Sequence, residues 1–231
     1  MNESVDLGRT YVEQWFWTLD QLARSAGIAK RDTLDLISAG CAPGPIYIAD
    51  GNGDWWSAID ETPRPEGSSW YSRSAAWGLR RAALAVRGGA SAADAAQAER
   101  TSFIGDFVTS LAAMAGAEEA FGDCFANGAV AEDAAARRAA EEWESWLDGG
   151  YGVCLRSFTA RTCIGKESLG ASLKAALAAG SPDHTDLLRK AEELASLMLP
   201  FAPWQRERCT PGQTIDRLLS RLRLGGELHY I

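Results

Sequence analysis

Apolar residues recur at helical spacing along most of the chain. Near its end, Ile215, Leu218, Leu219 and Leu222 follow the three-, four- and seven-residue spacing of a buried helix face. Similar patterns predict helices over about 72–86, 91–114, 118–126, 131–147, 159–179, 181–199 and 210–224. The pattern therefore predicts an all-α fold, a single compact multi-helix bundle.

The N-terminal part is predicted to form a small helical hairpin. Thr18-Leu-Asp-Gln21 reads as a capping box, and the helix that it opens should stop near Gly27. A second short helix is predicted over about 30–39 and ends at Gly40. The pair resembles a helix-turn-helix.

A plain helical hairpin is favoured over a DNA reader at this place. The second helix carries Asp32 and Asp35 where phosphate contacts would need cations. We expect the hairpin, residues 1–45, to pack on a main helical domain, residues 46–231, in one cooperative unit.

Residues 41–73 are predicted to be an irregular, tryptophan-rich loop. Prolines alternate with glycines there, and only residues 46–48 have the character of a strand. Long loops inside compact proteins are often functional. The stretch holds Trp55, Trp56 and Trp70, and Trp77 follows it, so these tryptophans are candidate walls of a substrate pocket.

The glycine break at residues 148–150 is the second candidate site. Trp143 and Trp146 share one face of the preceding helix, and Tyr151, Cys154 and Arg156 follow the break. An interrupted helix leaves room for a ligand, whereas a plain helix end would bury these aromatic rings as core. Both interpretations stay open.

Two cationic segments complete the candidates. Lys166 beside Glu167 is either a solvated ion pair or, if buried, an anion-binding or basic group. Arg206 follows Pro203 and Trp204, and is either an exposed linker residue or a clamp for a carboxylate or phosphate.

Charge and cysteine content restrict the environment. The formal charge is −8, which disfavours nucleic acid as a partner. The five cysteines are odd in number and widely spaced, as in a protein with reduced thiols. The polar start predicts no secretory leader, and no apolar run suits a membrane helix, so we expect a soluble, cytoplasmic protein.

The sequence contains no motif for binding a metal or a nucleotide. The chain has two isolated histidines, no HExxH, no GxGxxG after a strand and no phosphate-binding loop. We therefore expect no metal and no cofactor, which leaves cofactor-independent chemistry such as cyclisation, elimination or condensation.

Three segments together resemble an uncharacterised bacterial family of natural-product biosynthesis proteins that carry a domain of unknown function. They are Trp17 to Trp77, Trp146-Leu-Asp-Gly-Gly-Tyr-Gly-Val-Cys154 running to Lys166-Glu167, and Phe201-Ala-Pro203 followed by Arg206. Family-like sequences tend to have histidine where this chain has Trp204. The resemblance implies a role in specialised, antibiotic-type biosynthesis and transfers no mechanism.

Three functional hypotheses follow. The first is an enzyme that binds a small or carrier-tethered organic substrate in an aromatic pocket. Tyr151 and Lys166 would be the acid and base, Cys154 the nucleophile, Arg156 or Arg206 the anion clamp, and Trp146 and the loop tryptophans the walls. The second is a non-catalytic substrate-binding or megasynthase-docking protein, and the third is a DNA-binding regulator. An oligomer is compatible with all three.

Overall fold

A computed structural model describes residues 3–52, 54–179 and 184–222, with side chains described from Gly8 onward. Helices make up most of this part of the chain, which confirms the predicted mainly helical fold. The α-helices are α1 (Glu3–Trp15), α2 (Leu19–Ala26), α3 (Lys30–Ser38), α4 (Ala75–Arg87), α5 (Ala92–Ala113), α6 (Ala117–Phe121), α7 (Glu132–Leu147), α8 (Gly150–Cys154), α9 (Ala160–Ala179), α10 (His184–Leu197) and α11 (Arg217–Arg221). The helix starts and ends predicted near residues 181 and 224 lie outside the described residues.

The N-terminal hairpin forms as the sequence predicts. The Thr18 hydroxyl accepts a hydrogen bond from the Gln21 amide, and the Gln21 side chain accepts one from the Thr18 amide at 2.9 Å. This capping box starts α2, which ends at Gly27 with a φ of 72°. Helices α2 and α3 both pack on α4.

The stretch 41–73 is only partly irregular: the strand predicted at residues 46–48 forms one residue later, and two further strands were not predicted. It contains the strands β2 (Tyr47–Ala49), β3 (Trp55–Ser57) and β4 (Ser68–Tyr71), which form an antiparallel sheet with β1 (Trp17–Thr18) in the order β1-β4-β2-β3. Each strand is two to four residues long, too short for an alternating pattern to be read.

Contacts within the chain divide it into two compact units. The first consists of Met1–Ile104 and Ala140–Phe158. Its sheet packs on α1 and the following segment, where the rings of Phe16 and Tyr47 lie 4.8 Å apart and Tyr11 packs against both. These rings are buried, so the sheet side of this unit has an aromatic core.

The second unit consists of Gly105–Ala139 and Thr159–Ile231. Helix α9 packs against both α6 and α10. Asn127 and Gly128, a typical turn sequence, both have a positive φ and join the strands β5 (Phe125–Ala126) and β6 (Ala129–Val130). These units have other bounds than the predicted 1–45 and 46–231. That the chain unfolds as one cooperative unit stays a prediction.

The last helix departs from the regular α-helix predicted over 210–224. Residues Gly212–Asp216 form a π-helical turn, and α11 follows it directly. The Cβ that any other residue would add at position 212 would lie 2.3 Å from the Arg206 carbonyl oxygen. Glycine therefore lets the π-helical turn approach the preceding 3₁₀ turn, Arg206–Arg208.

Across the described ranges, every helix falls short of the length and apolar character needed to cross a membrane.

Candidate functional site

A stack of aromatic rings lies beside the glycine break in the first unit. The break is confirmed, since α7 ends at Leu147 and α8 begins at Gly150. The Phe158 ring lies between two others, 4.5 Å from Trp146 and 4.8 Å from Phe103, nearly parallel to both. The Tyr151 ring lies 5.5 Å from Phe158. Trp146 and Tyr151 are buried in this stack.

A buried carboxylate meets the Tyr151 hydroxyl. The Tyr151 hydroxyl donates a hydrogen bond of 2.5 Å to Glu142 Oε2, and both residues are at most 6 % exposed. A phenol bonded to a carboxylate is an arrangement that can hold or move a proton. The acid–base role of Tyr151 stays a prediction, and Glu142 is the group that would share it.

Glu142 escaped the sequence reasoning, although the sequence carries a signal for it. It occupies a position of the buried stripe Ala135, Ala139, Glu142 and Trp146 of α7, which has the spacing of four, three and four residues. A charged residue at a stripe position is buried with a polar partner or not at all. Tyr151 is that partner.

We predict that Tyr151→Phe lowers the free energy of unfolding by about 1.5–3 kcal/mol, the range for a hydrogen bond to a charged group. The variant keeps the ring in the aromatic stack and removes only the hydroxyl. Chemical denaturation of Tyr151→Phe, Glu142→Gln and the double variant measures the coupling in a double-mutant cycle. Strictly additive losses would show that the two side chains do not stabilise each other.

The other residues predicted near the break are also placed by the structure. Cys154 is buried, and its thiol points to the Tyr151 carbonyl oxygen at 3.6 Å. The Arg156 guanidinium lies 5.2 Å above the Trp15 ring, in a cation–π contact. Tyr151, Cys154 and Trp146 are thus brought together, while Arg156 turns to α1.

The predicted tryptophan walls separate into different places. Trp55 and Trp70 lie in the sheet with their rings 5.1 Å apart, and the Trp56 indole donates to the Thr62 carbonyl oxygen at 3.0 Å. Trp77 lies on α4, is 62 % exposed and stacks against the Arg81 guanidinium at 3.7 Å. Trp77 therefore stands apart from the two packed rings of the sheet.

The break contacts the stretch 41–73. A Cβ at Gly152 would lie 2.4 Å from the Ile46 Cδ1 and 3.6 Å from the Ser72 Cβ. The glycine thus allows α8 to approach both ends of this stretch closely. Any larger residue at position 152 would push Ile46 aside.

Lys166 and Arg206 belong to the second unit. Lys166 is 9 % exposed on α9, and its ammonium lies 2.6 Å from the Glu167 carboxylate. Arg206 forms a two-pronged pair with Asp216 at 2.8 and 2.7 Å, and its Nη1 donates to the Pro200 carbonyl oxygen at 2.9 Å. A carboxylate of the chain itself therefore occupies the proposed clamp.

The second unit also contains a half-open cleft of about 510 Å³. One wall is a face of α9 with small side chains, and the others are α10 and the corner between α5 and α6. The residues from α9 are Arg161, Gly165, Ser168, Leu169 and Ser172. Ligand sites for small molecules generally have volumes of about 300–1,000 Å³, so the cleft has a suitable size.

Polar groups in the cleft divide into engaged and available ones. Lys190 lies 3.1 Å from Asp186 and donates to the Ser172 hydroxyl at 2.9 Å, and Arg189 lies 2.7 Å from Asp186. Hydrogen bonds from Arg189 and then Lys190 hold the pKa of Asp186 below its usual range. Arg189 also pairs with Glu193 at 3.3 Å, so the two cations and the two carboxylates neutralise one another.

Three lining groups remain available to a ligand. Arg161 and Glu119 are exposed, and neither forms an ion pair within the described chain. The Ser168 hydroxyl oxygen is buried, and no hydrogen-bond partner for it exists among the described residues. Helical serines commonly bond to the carbonyl four residues earlier, and Ser168 does not.

None of the cleft residues was predicted from the sequence. The signal for them is weak: Gly165, Ser168 and Ser172 repeat small residues at three- and four-residue spacing on α9, which produces a groove. Groups of three or more histidine, cysteine or acidic side chains able to hold a metal ion are absent from the described residues.

Comparison with known proteins gives one match. A family model described as "Family of unknown function (DUF6058)" matches residues 99–223, which is more than half of the chain and includes the whole lining of the cleft. No curated protein and no solved structure matches the chain.

Proposed function

The chain belongs to DUF6058, a family of unknown function, so its role must be inferred from its own structure. We propose that it binds a small zwitterionic organic molecule in the cleft beside α9. The ligand would be of the amino-acid type, with an acidic and a basic group. It would be an intermediate of a specialised biosynthetic pathway, as the family resemblance of the sequence implies.

The Ser168 hydroxyl is the observation that carries this proposal. A buried hydroxyl without a hydrogen bond loses about 1–3 kcal/mol relative to a satisfied one. Its residue lines the cleft, and a ligand that approaches this buried oxygen would supply the missing bond. A site that keeps such a group is selective for a ligand with a matching donor or acceptor.

The two available charges support the zwitterionic character. Arg161 offers a planar pair of donors to a carboxylate, and Glu119 offers acceptors to an ammonium group. Both lie on the rim of the same cleft and are not neutralised by partners within the described chain. A ligand with a single charge would engage only one of them.

Matched compounds test this function in thermal-shift and calorimetric titrations. The panel contains L-amino acids, their N-acetyl derivatives, which lack the ammonium group, and their amides, which lack the carboxylate. We expect the parent amino acids of suitable size to bind best. We expect Arg161→Gln to weaken the binding of the parent amino acids and to leave the binding of the amides unchanged. We expect Glu119→Gln to weaken the binding of the parent amino acids and to leave the binding of the N-acetyl derivatives unchanged. Absence of saturable binding by every parent compound would refute the proposal.

We predict that Ser168→Ala separates stability from binding. Removal of an unsatisfied buried hydroxyl leaves the free energy of unfolding unchanged within about 0.5 kcal/mol or raises it. The same change removes a ligand hydrogen bond and weakens binding about tenfold. Denaturation curves and calorimetry with the best compound of the panel measure the two effects.

Ser196→Ala is the matched control for this prediction. Ser196 is exposed on α10, and its hydroxyl donates to the Glu193 carbonyl oxygen at 2.7 Å. It should leave binding unchanged. A Ser168→Ala variant that loses about 2 kcal/mol of stability would mean that the hydroxyl is satisfied within the fold.

Catalysis is the second candidate function, and the Tyr151–Glu142 hydrogen bond favours it. In that case Tyr151→Phe would abolish formation of the pathway product although the protein still folds. That result would indicate cofactor-independent acid–base catalysis. Unchanged product in cells that carry Tyr151→Phe, Cys154→Ala and Lys166→Ala one at a time would leave the non-catalytic binding or docking role. A gel shift at physiological salt tests the DNA-binding alternative, for which we expect no shift.

A further inference from the structure

A second cleft of about 390 Å³ in the second unit is lined by cations. Lys174 comes from α9, Gln213 from the π-helical turn, and Arg217 and Arg221 from α11. Leu177 and Ala178 complete the lining, which holds no acidic residue among those the structure describes. The chain as a whole has a formal charge of −8, which makes this concentration of positive charge unusual within it.

These cations are not neutralised by neighbouring carboxylates. Lys174, Arg217 and Arg221 form no ion pair with any described residue. The π-helical turn has one carboxylate, Asp216, and Arg206 holds it in a two-pronged pair. Arg206 therefore engages the carboxylate that directly precedes Arg217 in the chain.

Part of this arrangement has a structural explanation. The Arg221 guanidinium donates to the Leu177 carbonyl oxygen near the C-terminal end of α9, where cations stabilise the helix dipole. That contact does not account for Lys174 and Arg217. Arg217 and Arg221 are four residues apart on one helix face, where like charges repel each other. An anion between them would relieve this repulsion.

The local backbone supplies an independent observation. The π-helical turn Gly212–Asp216 presents Gln213 to the cleft and places Arg217 directly after it. Single turns of π-helix are rare and occur frequently at functional sites. Here the side-chain amide of Gln213 donates a hydrogen bond to the Arg208 carbonyl oxygen at 2.9 Å, which fixes the wall of the cleft.

We propose that this cationic cleft binds a phosphate group, with Lys174, Arg217 and Arg221 as the charged ligands. Phosphate carries up to two negative charges, and its oxygens accept the parallel donors of arginine. The site is distinct from the cleft beside Ser168 and does not depend on a ligand there.

Calorimetric titration of the full chain with inorganic phosphate and with phenyl phosphate, at low ionic strength and neutral pH, tests this site. We expect saturable binding that Arg217→Gln and Lys174→Gln each weaken about tenfold. The cations are exposed, so the variants should fold normally, and raising the salt to about 0.15 M should weaken binding. Circular dichroism checks the fold.

The source of the phosphate follows from the two compounds. Equal affinity indicates free phosphate, and about tenfold tighter binding of phenyl phosphate indicates a phosphorylated organic ligand; either result supports the site. Arg161→Gln, which removes the same charge from the other cleft, is the control. The proposal is overturned if neither compound binds, or if Arg161→Gln weakens phosphate as much as Arg217→Gln does.

Discussion

Trp146→Ala is expected to lower the free energy of unfolding by about 3–5 kcal/mol, the usual loss for a buried tryptophan. The indole is 4 % exposed and stacks on Phe158 at 4.5 Å. Alanine would leave a cavity beneath Phe158 and remove one side of the ring stack. Urea or guanidinium denaturation, followed by circular dichroism, measures the loss.

Trp77→Ala is the matched control, since it deletes the same side chain from an exposed position of α4. Its contact with Arg81 is an exposed cation–π pair, so we expect a loss of about 1 kcal/mol or less. Equal losses for the two variants would mean that Trp146 is not packed as described. A ligand pocket behind Trp146 would in that case be the better interpretation of the break.

Gly212→Ala is expected to destabilise the second unit by about 1–3 kcal/mol, as overpacking of a tight contact does. The new Cβ would lie 2.3 Å from the Arg206 carbonyl oxygen and 2.7 Å from the Glu207 Cα. These are backbone atoms and cannot turn aside as a side chain can. The variant should also weaken phosphate binding, because the π-helical turn carries Gln213 and precedes Arg217.

Gly105→Ala is the control with the opposite sign. Gly105 is an exposed residue inside α5, and nothing lies within 4 Å of its added Cβ. Alanine is better than glycine in a helix by about 0.5–1 kcal/mol, so this variant should be more stable. If Gly212→Ala were also neutral or stabilising in thermal denaturation, the close approach at the π-helical turn would be wrong.

The parts of the fold that local chemistry determines were predictable. Thr18 and Gln21 form a complete capping box within four residues, and Gly149, with a φ of 93°, interrupts the helix between α7 and α8. Such signals need no partner elsewhere in the chain. The same is true of the Asn127-Gly128 turn.

The parts of the fold that depend on partners far away in the sequence were not predictable. Strand β1 has two residues, and it pairs with β4 more than fifty positions later, so no window of sequence reveals it. The π-helical turn depends on the backbone of the 3₁₀ turn that faces Gly212.

Among the candidate site residues, chemistry was easier to predict than position. Tyr151 was chosen because it follows a glycine break, but its partner Glu142 is known only once α7 and α8 are placed. Arg206 was chosen as a free anion clamp and is held by Asp216 instead. The serine of the first cleft carried only the weak signal of small-residue spacing, because helical serines are common and its place in the cleft depends on α10 and the α5–α6 corner.

The cysteines give the protein a built-in position for a spectroscopic label. Cys41, Cys124, Cys154 and Cys163 are buried, and Cys209 alone is half-buried. Burial and the nearby Glu99 raise the pKa of the Cys41 thiol to about 11, which keeps it protonated at neutral pH. A maleimide fluorophore should therefore react first at Cys209. Cys209 follows the 3₁₀ turn, and its carbonyl oxygen accepts a hydrogen bond from the backbone amide of Gln213 at 3.0 Å. The dye would sit three residues before Gly212, where its emission could report phosphate binding without any engineered cysteine.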